Sequence, residues 1–162
     1  MSIKTPKLNL VTAAPVLLKE YQKAMIGLAA SASLEPCLSE LVQIRVSQIN
    51  GCAHCLNLHF AEAREKGESE QRLFLVAAWR EAPCYTERER AALGWAEALT
   101  RLSEGADHEA AYLALKAHFT EEEQVKLSVT INIISGWNRL AVGFGVFAEA
   151  AEVKASARSA AA

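Results

Sequence analysis

The chain has 162 residues, 51% of them hydrophobic and 22% charged, and a formal net charge of −2 from 17 basic and 19 acidic side chains. That length supports one domain with a core that needs no disulfide staples, and the near balance of charge gives no electrostatic case for nucleic acid or an anionic membrane. No apolar run approaches the ~20 residues of a membrane span, and the amino-terminal MSIKTPKLNL lacks the apolar core of a signal peptide.

In chain order, residues 1–12 read as a lead-in. Pro15 suits the first turn of a helix, whose apolar face is Val16, Leu17, Leu18, Tyr21, Met25, Ile26 and Leu28. Pro36 opens a second helix with Leu38, Leu41, Val42, Ile44, Val46 and Ile49 inward, and with Gln43 and Arg45 toward solvent or a neighbouring subunit. Glu40 lies within this apolar helix, where a carboxylate ordinarily sits on a solvated face. Asn50-Gly51 is a turn signal, so one helix ends at Ile49 and the next begins at Cys52 and runs to about Lys66, stopped by Gly67.

This third helix carries the densest chemistry of the chain: Cys52, His54, Cys55 and His59. On an α-helix Cys52, Cys55 and His59 fall within about 60° of one another, whereas His54 points to a different face. Both thiols stand in the first turn, where free N–H groups and the helix dipole favour a thiolate. His59 is one turn below Cys55, within reach of its proton directly or through a water. Glu40 returns to these residues if the two helices pack as neighbours. Three chemistries use such a set. A structural zinc site needs a fourth ligand, from the carboxylate or His54, and no second C-x-x-C or H-x-x-x-H is present. A thioredoxin-like module places C-x-x-C after a strand, and no strand pattern precedes this one. A dithiol peroxidase or reductase on a helical scaffold uses every group: an attacking thiolate, a resolving thiol, and a base tuned by a carboxylate. Two buried cysteines that merely lie close would account for the thiols but not for their companions. Four cysteines without an export signal point to reduced thiols in the cytoplasm, where a disulfide is transient and catalytic.

Beyond Gly67, Ser69 caps a predicted helix over Gln71 to Glu81, ended by Pro83. Cys37 and Cys84 have no spaced partner and read as inert small hydrophobes. Thr86-Glu-Arg-Glu89 and Thr120-Glu-Glu-Glu123 are capping boxes, and Asp107 caps a helix between them. Val125 to Ile134 is β-branched enough to suit a strand, but its cap and length favour helix. Shifted by 85 residues, Val42, Ile44, Val46 and Ile49 lie over Leu127, Val129, Ile131 and Ile134, and Gly51 over Gly136. The second copy is therefore expected to repeat the helix–turn–helix, with Val125, Trp137, Arg139, Leu140 and Phe144 in place of the reactive residues. One helical domain is expected over residues 1–154, followed by a disordered alanine-rich tail from Ala155 to Ala162.

The spacing Glu-x11-Cys-x-His-Cys-x3-His, filled by Glu40, Cys52, His54, Cys55 and His59, resembles the signature of the AhpD-type alkylhydroperoxidases of the carboxymuconolactone decarboxylase superfamily. Trp137 to Val142 is similar to a later helical segment of the same family, which would make Asn138 and Arg139 structural or subunit-contact residues. The resemblance implies an all-α, AhpD-like fold, a homo-oligomer (trimer or hexamer), and reduction of organic hydroperoxides. It makes Cys55 the attacking thiol, Cys52 the resolving one, Glu40 and His59 a proton relay, and His54 a supporting residue. The helix start by itself favours Cys52 as the more acidic thiol, so the two arguments differ on the nucleophile. No flavin, nicotinamide or phosphate-binding glycine pattern appears, so no cofactor is expected. Electrons then come from an external dithiol, for which the resemblance makes a lipoyl-type adaptor or another small thiol protein the natural candidate. Two other classes use the same residues. A decarboxylase of the superfamily would need carboxylactone-binding and acid–base groups and could use His59 without a thiol cycle, and a non-enzymatic thiol or zinc module would use the set as ligands.

Overall fold

A computed structural model describes residues 8–105 and 107–146, and the tail expected over residues 155–162 lies outside them. Among the described residues all regular structure is helical. The helices are α1 (Leu10–Ala13), α2 (Pro15–Ser31), α3 (Pro36–Asn50), α4 (Ala53–Glu65), α5 (Glu70–Leu75), α6 (Glu87–Thr100), α7 (His108–His118) and α8 (Glu121–Phe144). No helix among the described residues is long and apolar enough to cross a membrane.

Helix α3 is the axis of the molecule, packed against α4, α6 and α8. Leu38, Val42 and Val46 join one core with Ala92, Ala96, Leu115, Leu127, Ile131 and Ile134 from α6, α7 and α8. Leu41 and Ile44 join a second with Ala63, Leu73, Val76, Trp79 and Leu93. Burying a Leu, Ile or Val side chain is worth about 1.5–3 kcal/mol, and a helix with residues in both cores collects that on two faces. A polar group carried into this helix needs a specific partner, which sets the terms for Glu40. Arg45, expected toward solvent or a neighbouring subunit, turns inward, with its guanidinium 2.7 Å from Glu97 Oε1. The Trp79 indole N–H donates to the same oxygen at 2.9 Å.

The capping boxes at Thr86 and Thr120 form as expected. So does the turn at Asn50-Gly51: Gly51 has φ 67°, a left-handed conformation that costs a side-chain-bearing residue about 1–2 kcal/mol. Three expectations change. The lead-in contains a short helix, α1, capped by the Asn9 side chain on the Val11 and Thr12 N–H groups. The helix expected over residues 71–81 leaves α-geometry at Val76 and continues as a 3₁₀ turn to Ala78. The expected second helix–turn–helix is one unbroken helix, α8, which runs through Ser135-Gly136.

Candidate functional site

The turn at Gly51 folds α4 back against α3 and fixes its start. Cys52 is the N-cap of α4, with extended backbone (φ −88°, ψ 92°). Its Sγ accepts from the Cys55 N–H at 3.3 Å. Cys52 and Cys55 are joined as a disulfide, their Cα atoms 5.4 Å apart, and both are buried. The bridge is thus built from one helical turn, at the end of the helix where unpaired N–H groups gather.

One turn further, His59 is buried and faces α3, with Nδ1 2.9 Å from Glu40 Oε2. Glu40 is only 1% exposed, so it is not the solvated residue that helical glutamates usually are. Burial pushes its carboxyl up, but hydrogen bonds from His59 and Lys66, with the charges of both, outweigh that and hold it below its ordinary value of 4.5. An ionised carboxylate only accepts, so Nδ1 of His59 carries a proton in this contact, and Nε2 is the ring nitrogen left to exchange a proton with the site.

Two residues outside the set singled out from the sequence also belong here. Lys66 Nζ lies 2.5 Å from Glu40 Oε1, and Glu62 Oε2 is 3.6 Å from His59 Nδ1. Gln43 donates from Nε2 to Glu40 Oε1 at 3.4 Å. Glu62 stands at i+3 from His59, a spacing the sequence displays. Nothing local links Lys66 to Glu40, because their meeting depends on how α4 lies on α3.

A cavity of about 630 Å³ opens over the bridge. Cys55, His54 and His59 line it, while the opposite wall is apolar, with Leu18, Met25 and Ile26 from α2 and Trp137 and Leu140 from α8. Of the two bridged cysteines, Cys55 borders this cavity. A second cavity of about 380 Å³ borders the Glu40 carboxylate, lined by Glu40, Gln43, Glu62 and Lys66 among others. All five residues singled out from the sequence therefore fall in one region around the α3–α4 turn: Cys52 with Cys55, Glu40 with His59, and His54 on the cavity wall.

Donor atoms of Glu40, His59 and Glu62 lie within 4.8 Å of one another, close enough to invite a cation. The donor set argues otherwise. Both Glu40 oxygens are already engaged, one by His59 and one by the Lys66 ammonium, and an ammonium at that place repels a second cation.

A model of the carboxymuconolactone decarboxylase family matches residues 15–98, which span α2 through most of α6. The uncharacterized protein YdfG of Bacillus subtilis is 39% identical over 114 residues, covering 70% of this chain and 78% of YdfG. A crystal structure from Agrobacterium tumefaciens, of a protein of unknown function suggested to be the antioxidant defence protein AhpD, superposes with a TM-score of 0.82. It is 42% identical and covers 87% of this chain and 96% of that one. The debrominase Bmp8 shares the fold at a TM-score of 0.68 and 21% identity, covering 75% of this chain and 67% of its own.

Proposed function

The chain belongs to the carboxymuconolactone decarboxylase family, and from that premise we propose that it is a thiol-dependent peroxidase that reduces organic hydroperoxides. The observation that carries this reading is a redox-capable Cys52–Cys55 pair whose Cys55 shares a largely apolar cavity with a histidine held by a buried carboxylate. An apolar wall suits the organic part of the substrate, and the dithiol supplies its two electrons.

In the reduced protein His59, oriented by Glu40, takes the proton of Cys55 directly or through a water. The thiolate attacks the terminal oxygen of the hydroperoxide, the O–O bond breaks, and the alkoxide leaves as the alcohol with the proton returned by His59. Cys55 is then a sulfenic acid. The Cys52 thiol condenses with it to form the disulfide, releasing water. An external dithiol reopens the bridge by exchange and is itself oxidised; a lipoyl-type adaptor has the right chemistry, and a reducing cytoplasm would sustain the cycle. Access supports Cys55 as the attacking thiol, since it borders the cavity. Cys52, as the N-cap, is suited to leave as a thiolate when the bridge is reopened. His54 supports the site from the cavity wall.

The working form in this reading is a homo-oligomer, a trimer or hexamer. Val16, Leu17 and Ile26 of α2 are 76%, 72% and 62% exposed, which favours a partner over that helix. Sedimentation would test it, with a monomer at micromolar concentration counting against it.

The deciding experiment counts free thiols by mass spectrometry before and after one equivalent of cumene hydroperoxide. Loss of two thiols with a Cys52–Cys55 peptide bridge is expected in the reduced wild type. Thiols that survive peroxide would sink the reading and turn attention to a lyase that uses His59 and Glu40 without sulfur.

A further inference from the structure

We propose that Lys66 is a positioning residue of the peroxidase relay: its ammonium, seated on one oxygen of Glu40, keeps the carboxylate ionised and its other oxygen aimed at His59. The inference rests on the peroxidase reading for its purpose, but its geometry stands independently.

Lys66 is the C-cap residue of α4, and its backbone is held from both sides. The helix ends in a Schellman motif, with the Glu68 N–H on the Ala63 carbonyl at 2.9 Å and the Gly67 N–H on the Arg64 carbonyl at 3.0 Å. From α3, the Cys37 thiol donates to the Lys66 carbonyl at 3.5 Å. A fixed backbone limits where the side chain can reach, and it reaches Glu40 Oε1 at 2.5 Å.

An ion pair between two exposed side chains would carry little meaning. This pair joins a lysine whose side chain is 38% exposed to a carboxylate whose side chain is 2% exposed. The Glu40 oxygens therefore have little water to turn to. The other donor on Oε1 is the neutral Gln43 amide at 3.4 Å, a long contact. Without the ammonium, a buried carboxylate would keep one strong partner, His59, and its ionised form would lose support.

Among the described residues, the charged groups that face Glu40 come from α4 and its C-cap: His59, Glu62 and Lys66. Helix α8 presents Thr130 and Ile133 to the same cavity, and α2 presents Ala29. Lys66 is thus the permanent cation against two carboxylates.

The test follows the Glu40 carboxyl by its ¹³C shift against pH, in the disulfide form where neither Cys52 nor Cys55 titrates, with Glu40→Gln identifying the signal. Lys66→Met is expected to raise the Glu40 midpoint by about one pH unit, and Lys66→Arg to leave it with the wild type. Because Lys66 is largely at the surface, both variants should keep the wild-type circular dichroism. A midpoint unchanged in Lys66→Met would overturn the proposal, as would equal displacements in the Met and Arg variants, which would assign the effect to packing and not to charge. In the thiol-loss assay, the acid-side fall of the Lys66→Met rate should begin at a higher pH than in wild type or Lys66→Arg. A wild type that consumes no hydroperoxide defeats the peroxidase reading, and the carboxyl titration still decides Lys66.

Discussion

Two helical stretches of this chain share an apolar pattern and end in Gly, yet one breaks and the other does not. In α3 the pattern Val42, Ile44, Val46, Ile49 runs into Asn50-Gly51, and Gly51 turns left-handed so that α4 folds back. In α8 the pattern Leu127, Val129, Ile131, Ile134 runs into Ser135-Gly136, and the helix continues for two more turns. The difference is one of surroundings as much as residues. Gly51 has open space where a Cβ would stand, whereas at Gly136 the Tyr21 hydroxyl occupies that space and the Tyr21 ring packs edge-on against Trp137 at 4.9 Å. The broken helix exposes free N–H groups and places cysteines on them. The unbroken one supplies a wall. Asn138 of α8 also reaches into the break, accepting from Asn50 Nδ2 at 2.9 Å and donating to Ser47 Oγ at 3.1 Å.

The sharpest way to test the division of labour is to disarm the broken copy. Cys55→Ser should abolish formation of the hydroperoxide-driven disulfide, read by thiol counting. If Cys52 instead became a sulfenic acid at the wild-type rate, the two thiols would exchange roles. Next in size is Glu40→Gln, which keeps the shape and removes the charge. Thiol oxidation should slow by about a hundredfold, the lower end of what a positioned base contributes, and urea unfolding should show a loss of about 2 kcal/mol from the charged hydrogen bonds. The same variant has a pH signature. Because the folded-state carboxyl lies below 4.5, its stabilising contribution is complete above the unfolded value and is lost as pH falls through the folded one. Wild type should therefore lose stability more steeply than Glu40→Gln below about pH 4.5.

The tie between the copies is smaller. Asn138→Ala leaves the Asn50 amide and the Ser47 hydroxyl without their buried partner and should cost about 1–3 kcal/mol in urea unfolding, with thiol chemistry preserved. Smallest, and aimed at the glycines themselves, is a paired substitution. Gly51→Ala should lose about 1 kcal/mol to the left-handed backbone. Gly136→Ala should fall within about 1 kcal/mol of wild type, since the gain in helix propensity is set against displacement of the Tyr21 hydroxyl. Equal losses would mean that the turn owes nothing to Gly51.

Much of this was legible because it is local. The Asn-Gly turn, the two Thr-x-x-Glu boxes and the spacing of Cys52, Cys55 and His59 depend on residues a few positions apart, and all appear as read. What escaped depends on packing between distant segments. Lys66 lies 26 positions from Glu40 and Arg45 lies 52 from Glu97, so no periodicity in the sequence links them. The continuity of α8 escaped for the same reason, since Ser135-Gly136 acquires its helical setting from Tyr21 on α2. The 3₁₀ turn at Val76 hides in an apolar run that suits either helix.

The bridge at the start of α4 joins residues three apart. A crosslink of that span constrains very little of the chain, because the entropy a covalent loop removes from the unfolded state grows with the length it encloses. Neither core depends on it to hold distant segments together. The sulfur pair could therefore open and close while the scaffold stands, and the energy of any thiol–disulfide exchange there would be nearly separate from the energy of folding.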